Sequence, residues 1–179
     1  MRLLAGSGGT ARSGAVRAIA SDADACPGAP LPDGYDTIGR YPYLLHSPTG
    51  SGYNPQGVAL FMLAAWADPY ASSDQRLCLL SWAAQALIDR SEAHHFTDED
   101  GKQRTARLYP YPSSFSANPS LPALKPGWVS GLAQASVLVT LASLADSTAD
   151  PSYLNLAGET FNPFPGGGCR TVNSIARHC

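Results

Sequence analysis

Two Asx-Pro dipeptides, Asn54-Pro55 and Asp150-Pro151, each stand immediately before a stretch whose apolar residues recur every three or four positions. An Asn or Asp side chain accepts from the free amides of a first helical turn, and proline is tolerated where its missing N–H would have had no partner. Each dipeptide therefore predicts where a helix begins. After Asn54, Val58, Phe61, Met62, Ala65 and Trp66 fall on one face until Asp68-Pro69 stops the helix. A second stripe, Leu77, Leu80, Ala84, Leu87 and Ile88, predicts a helix over 73–89. The link between them is so short that the two must lie antiparallel, as an αα-hairpin.

A third stripe runs through Val129, Leu132, Ala133, Ser136, Val137, Thr140, Leu141 and Leu144, with small residues suited to close packing. The fourth helix, opened by Asp150-Pro151, carries Tyr153, Leu154, Ala157 and Phe161 and stops before Pro163. Between the two pairs, His94 to Tyr111 has no helical period. Asp100-Gly101 there is a hairpin-turn signal, so a small inserted β-hairpin is expected. Residues 112–127, rich in proline and serine, read as an irregular crossing. The order predicts an all-α fold of stacked antiparallel αα-hairpins. Residues 1–40 show neither helical nor alternating periodicity and are read as a flexible lead-in, with ordered structure starting near Tyr41.

Composition limits the functions open to such a fold. With 12 basic and 14 acidic residues the formal charge is −2, so no overall field attracts nucleic acid or an anionic membrane. The opening MRLLAGSGGTARSG has too few consecutive apolar residues for a signal peptide or a membrane span. Cys26, Cys78, Cys169 and Cys179 contain no C-x-x-C pair. They allow three complete pairings, Cys169 with Cys179 among the options. His94 and His95 before Asp98, Glu99 and Asp100 have poor spacing for zinc, and the acidic run lacks the later glutamate of a calcium loop, so a solvated turn is favoured. Gly6 to Gly9 is no phosphate loop, because no Lys-Ser/Thr pair follows it. No metal or other cofactor is expected.

Three stretches carry a family resemblance: YPYLLHSPTGSGYNPQGVALFMLAAWAD from Tyr41, RLYPYP from Arg107 and KPGWVSGLAQASVLVTLASLAD from Lys125. With FNPFPGGG from Phe161, they resemble the opening half of the C-terminal domain of D-glucuronyl C5-epimerases, over residues 41–168. The remaining residues, 169–179, form an irregular tail. The resemblance implies a partial (α/α) toroid of paired helices with a cleft across one end. It also implies inversion of D-glucuronate to L-iduronate within a heparosan or heparan sulfate type polysaccharide, and it would allow a Golgi-lumen location. The partner it implies is an acidic polysaccharide containing uronate, with homo-oligomerisation left open. The sequence departs from the family at Ala135, where glycine is expected. It also holds no Glu-Glu-Tyr-Pro segment and no tyrosine after Tyr153, so no catalytic residue is assigned.

Epimerisation at carbon 5 removes a proton beside a carboxylate and returns one to the opposite face. The planar intermediate gathers negative charge that cationic or hydrogen-bonding groups must stabilise. Tyr53, Tyr109 and Trp128, in predicted loops or at helix ends, are the candidate sugar platforms, ahead of Tyr41, Tyr43 and Tyr111. The plainer reading is that such rings plug the ends of helical hairpins. Arg107 offers a planar fork for a uronate carboxylate, against the alternative of a solvated hairpin arginine. Gln134 is expected either to bond sugar hydroxyls or to be a buried amide bonding backbone. Trp66 and Trp82, inside helices, are expected in the core. Noncatalytic acidic-polysaccharide binding, or an inactive truncated gene product, are the competing functional readings.

Overall fold

The structure is a computed structural model that describes residues 26–38, 41–44, 52–98, 100–116 and 118–163. Four helices and two antiparallel two-stranded sheets follow in the order β1 (Tyr35–Ile38), β2 (Tyr41–Leu44), α1 (Pro55–Ala67), α2 (Ser73–Asp89), β3 (Glu92–Thr97), β4 (Gln103–Leu108), α3 (Gly131–Thr148) and α4 (Pro151–Phe161). Both Asx-Pro pairs start helices as the sequence predicts. Asn54 Oδ1 accepts from the Gly57 amide at 3.0 Å, and Asp150 Oδ1 accepts from the Ser152 amide at 2.8 Å. α2 opens on a reciprocal pair in which the Ser72 hydroxyl accepts from the Gln75 amide and the Gln75 side chain accepts from the Ser72 amide.

The expected all-α toroid is not what these residues form. A hairpin of β1 and β2 precedes the first helix, with Tyr35 opposite Leu44 and Ile38 opposite Tyr41, and β2 packs against α1. The strands are short and Pro42 interrupts the second, which erases the alternation that marks a strand in sequence. The inserted β3–β4 hairpin in turn docks on α4, so sheet rather than a further helix covers that face. The described residues give a mixed helix-and-hairpin architecture in which α1 packs on α2 and α3, and α3 packs on α4.

The core lies between α1, α2 and α3. Val58, Phe61, Met62, Ala65, Leu87, Val137, Leu141 and Leu144 are wholly buried in it, joined by Tyr153 and Ala157 from α4. Phe61 sits edge-on between Trp82, 5.9 Å away, and Tyr35, 5.3 Å away, so the β1 strand closes one side of the cluster. Trp82 is buried as expected, but Trp66 is 44% exposed, at the rim of a recess between the end of α1, the start of α2 and the end of α3. Leu132, Leu154 and Phe161, also placed on apolar stripes by the sequence, are exposed at 63%, 62% and 46%. The α3–α4 pair contributes its narrower seam to the core instead.

A disulfide joins Cys26 to Cys78 on α2. Cys169 and Cys179, like the glycine run near the start, the 169–179 tail and most of FNPFPGGG, lie outside the described residues. Around Gly101, whose φ of 78° suits glycine, Asp98 Oδ1 accepts from the amides of Asp100 and Lys102 and Oδ2 accepts from Arg104 Nε at 2.8 Å. The acidic run after His94 and His95 thus shapes a turn. No cluster of metal-ligating residues exists among the described residues, and no helix there is long and apolar enough to cross a membrane.

Candidate functional site

Because α1 and α2 are antiparallel, the start of α1 and the end of α2 must meet at one end of the hairpin. These ends bring together Tyr53, next to the Asn54 cap of α1, and Arg90, the cap of α2, with the guanidinium carbon of Arg90 4.9 Å from the centre of the Tyr53 ring. Facing them is the strand-to-loop segment Pro110-Tyr111-Pro112. Together with Glu92 and Gly127 these residues line an open groove of about 350 Å³.

The far wall is built by the Pro-Gly-Trp segment. Lys125, Pro126, Gly127 and Trp128 make a turn closed by the Trp128 amide donating to Lys125 O at 3.3 Å, and Gly127 has a φ of 92°. Proline at the second position and a positive φ at the third are what a type II turn requires. The turn then pairs with the chain opposite. Tyr111 N donates to Trp128 O at 2.9 Å and Gly127 N donates to Tyr111 O at 2.8 Å. That pairing lays the Trp128 ring flat on Tyr111, with centroids 3.9 Å apart, and Phe115 also stacks with Trp128 at 5.5 Å. The Trp128 indole N–H donates to Ser113 O, which fixes the ring's direction.

Behind the groove lies a buried polar node. Gln134, on the first turn of α3, accepts from the Tyr109 amide at 3.0 Å and donates to Arg107 O at 2.8 Å and to Thr160 O at 3.4 Å. The Tyr109 ring is fully buried, its hydroxyl 3.0 Å from that of Thr160. Arg107 Nε donates to Glu159 at 2.7 Å and its Nη1 donates to Ser91 Oγ at 2.7 Å. Of the five residues singled out from sequence, Tyr53 lines the groove. Trp128 backs Tyr111, and Arg107, Tyr109 and Gln134 come together in the node. Arg90 and Glu92 were not singled out, and Tyr111 was ranked behind. The signal for Arg90 was available, since the short α1–α2 link alone puts the residue after α2 beside Tyr53.

Burial pushes the phenols of Tyr109 and Tyr111 up to about 12. For Tyr109 the Thr160 hydrogen bond and the Arg107 charge pull it partly back, and for Tyr111 the Gln56 main chain does so. At neutral pH both are uncharged donors rather than bases. A phenol that ionises later in the folded chain than the ordinary 10.0 gives protection that is complete below pH 10 and lost as pH rises toward about 12. Stability should fall across that window, with the last phenolate absorbance appearing together with loss of helical circular dichroism. Ionisation of every tyrosine near pH 10 in a still-helical protein would contradict this burial.

Fold and groove define a helix-rich domain with an open recess bordered by the exposed Arg90 and by Tyr53 and Tyr111, whose rings are nearly buried at 5% and 2% exposure. Residues 103–168 match the family described as D-glucuronyl C5-epimerase C-terminus, so over this stretch the chain is similar to that family. The match spans β4, the Pro-Gly-Trp turn, α3 and α4, and begins well after Tyr41, where the resemblance in the sequence starts. Tyr111 and Gly127 therefore lie inside it, and Tyr53, Arg90 and Glu92 outside. No curated protein and no solved structure matches the chain.

Proposed function

We propose that the chain holds a uronate-bearing polysaccharide in the Tyr53–Arg90–Tyr111 groove, as the substrate-holding part of a glucuronyl C5-epimerase acting on heparosan or heparan sulfate type polymers. The observation that carries this reading is the Arg90 guanidinium over the Tyr53 ring, directly across from the Tyr111 wall set by the family-matched Pro-Gly-Trp turn. A guanidinium beside the uronate carboxylate would stabilise the charge that gathers there when the carbon 5 proton leaves. Pro110 and Pro112 give the sugar an apolar surface, beside the small exposed edges of the nearly buried Tyr53 and Tyr111 rings. In this reading Arg90 meets the sugar, with Tyr53 beneath it, while Trp128 holds Tyr111, and Arg107, Tyr109 and Gln134 hold the strand behind it.

Titration with a tetrasaccharide of alternating glucuronate and N-acetylglucosamine tests the reading. Saturable binding is expected, weakened by salt and reduced about tenfold or more by Arg90→Gln, as for loss of one charge-assisted hydrogen bond. Binding that ignores Arg90→Gln would sink it. The same mixture in deuterated water distinguishes turnover from holding. The groove presents the exposed Glu92 carboxylate but no opposed acid and base pair among the described residues, so deuterium is not expected at carbon 5.

A further inference from the structure

At the opposite end of the α1–α2 hairpin a second recess, of about 380 Å³, is lined by Trp66, Ser73, Arg76, Leu77, Leu80 and Ser147. Trp66 belongs by periodicity to the same face as Val58, Phe61, Met62 and Ala65. Those four are wholly buried, whereas Trp66 leaves 44% of its surface open beside this recess. Arg76 is part-buried, and its Nη1 donates to Asp68 O at 3.1 Å. Arg104 and Arg107 are each paired with a carboxylate, at Asp98 and Glu159, but none pairs with Arg76 among the described residues. The nearby Asp68 carboxylate accepts instead from the Tyr70 amide at 2.8 Å. A guanidinium fixed through one nitrogen to a main-chain carbonyl leaves further N–H donors for a ligand.

We infer that this recess is a second site for a uronate residue, with Arg76 taking the carboxylate and Trp66 the sugar's apolar face. A guanidinium matches a carboxylate with two parallel hydrogen bonds, and a half-open indole ring suits the C–H face of a pyranose. Leu77 and Leu80 extend that apolar floor. Ser147, which donates to Ser143 O at 2.8 Å, retains oxygen lone pairs for a sugar hydroxyl. Arg76 and Arg90 stand about four turns apart on α2, roughly 20 Å along its axis. Leu79, Leu80, Ala83 and Leu87 between them are packed in the core, so the two recesses are separate sites rather than one continuous groove. The choice of sugar rests on the reading given under the proposed function, but the geometry of the recess does not.

Calorimetric titration of the full chain with the same glucuronate tetrasaccharide, beside its carboxyl-reduced form, tests the inference. Two sites per chain are expected for the acidic form. Trp66→Ala and Arg76→Gln should each leave one site, of unchanged affinity, and Arg90→Gln should remove the other. A single site that disappears in Arg90→Gln and persists in Arg76→Gln overturns the second site and leaves the first. A single site lost with Arg76→Gln alone supports the second site and overturns the first. Absence of binding overturns both. Equal binding of the carboxyl-reduced form at the Arg76 site overturns its assignment to uronate, and this comparison on the unaltered chain decides the matter even if Trp66→Ala fails to fold.

Discussion

Gln134→Ala is expected to lower the unfolding free energy by about 4 kcal/mol, because it strands at least two buried main-chain groups at once. The side chain is 3% exposed and satisfies the Tyr109 amide with its oxygen and the Arg107 carbonyl with its nitrogen. An unsatisfied buried donor or acceptor costs about 1–3 kcal/mol, more than the net value of the hydrogen bond itself. Alanine also leaves a cavity between α3, α4 and the end of β4. The effect should be seen as a lower urea midpoint with an unchanged slope, and as faster hydrogen exchange at the Tyr109 amide. Gln134→Met fills the space without restoring either bond, so it should recover only the packing part of the loss. A loss below about 1 kcal/mol for alanine would show that other groups or water take over both bonds.

This node explains why the candidate site was only partly legible. The sequence shows that Arg107, Tyr109, Trp128 and Gln134 are unusual for a helix-and-hairpin chain, but not which of them face a ligand. Gln134 lies near the start of α3, two residues from exposed Leu132, and sequence periodicity does not say whether its amide points to sugar or to backbone. Only the docking of β4 on α4 turns it inward. Caps and breakers, by contrast, act within a few residues. Asn54, Asp150, Pro69 and Gly101 therefore placed α1, α4 and the β3–β4 turn close to where they are observed, and the apolar stripe from Leu77 to Ile88 placed α2. The β1–β2 hairpin escaped because its stability comes from packing on α1 rather than from local pattern. Trp66 differs for the complementary reason, since periodicity assigns a face but not how closely the neighbouring helices pack along it.

Replacing both Cys26 and Cys78 with serine is expected to lower the unfolding free energy by roughly 3–4 kcal/mol. The bond closes a separation of 52 residues, and restricting a loop of that size removes much of the unfolded chain's entropy. For a domain whose total stability is about 5–15 kcal/mol, the change is a large fraction of the whole. Its local consequence follows from what the bond fastens. Gln75 Nε2 donates to Gly28 O at 2.8 Å, Ala29 packs on the core and Tyr35 meets Phe61 edge-on, so a few weak contacts also hold this segment to α1 and α2. Without the disulfide those contacts must bear the closure entropy of the intervening chain. Residues 26–35 should then become the first site of limited proteolysis, while the β3–β4 hairpin, tied to α4 by Arg107 and Glu159, keeps its protection. Equal denaturation midpoints for the oxidised protein and the double variant would mean that the bond sets redox state without contributing to stability. A lower midpoint with no new cleavage before Tyr35 would place the loss in the unfolded chain alone, with the native segment still held by its packing on Phe61.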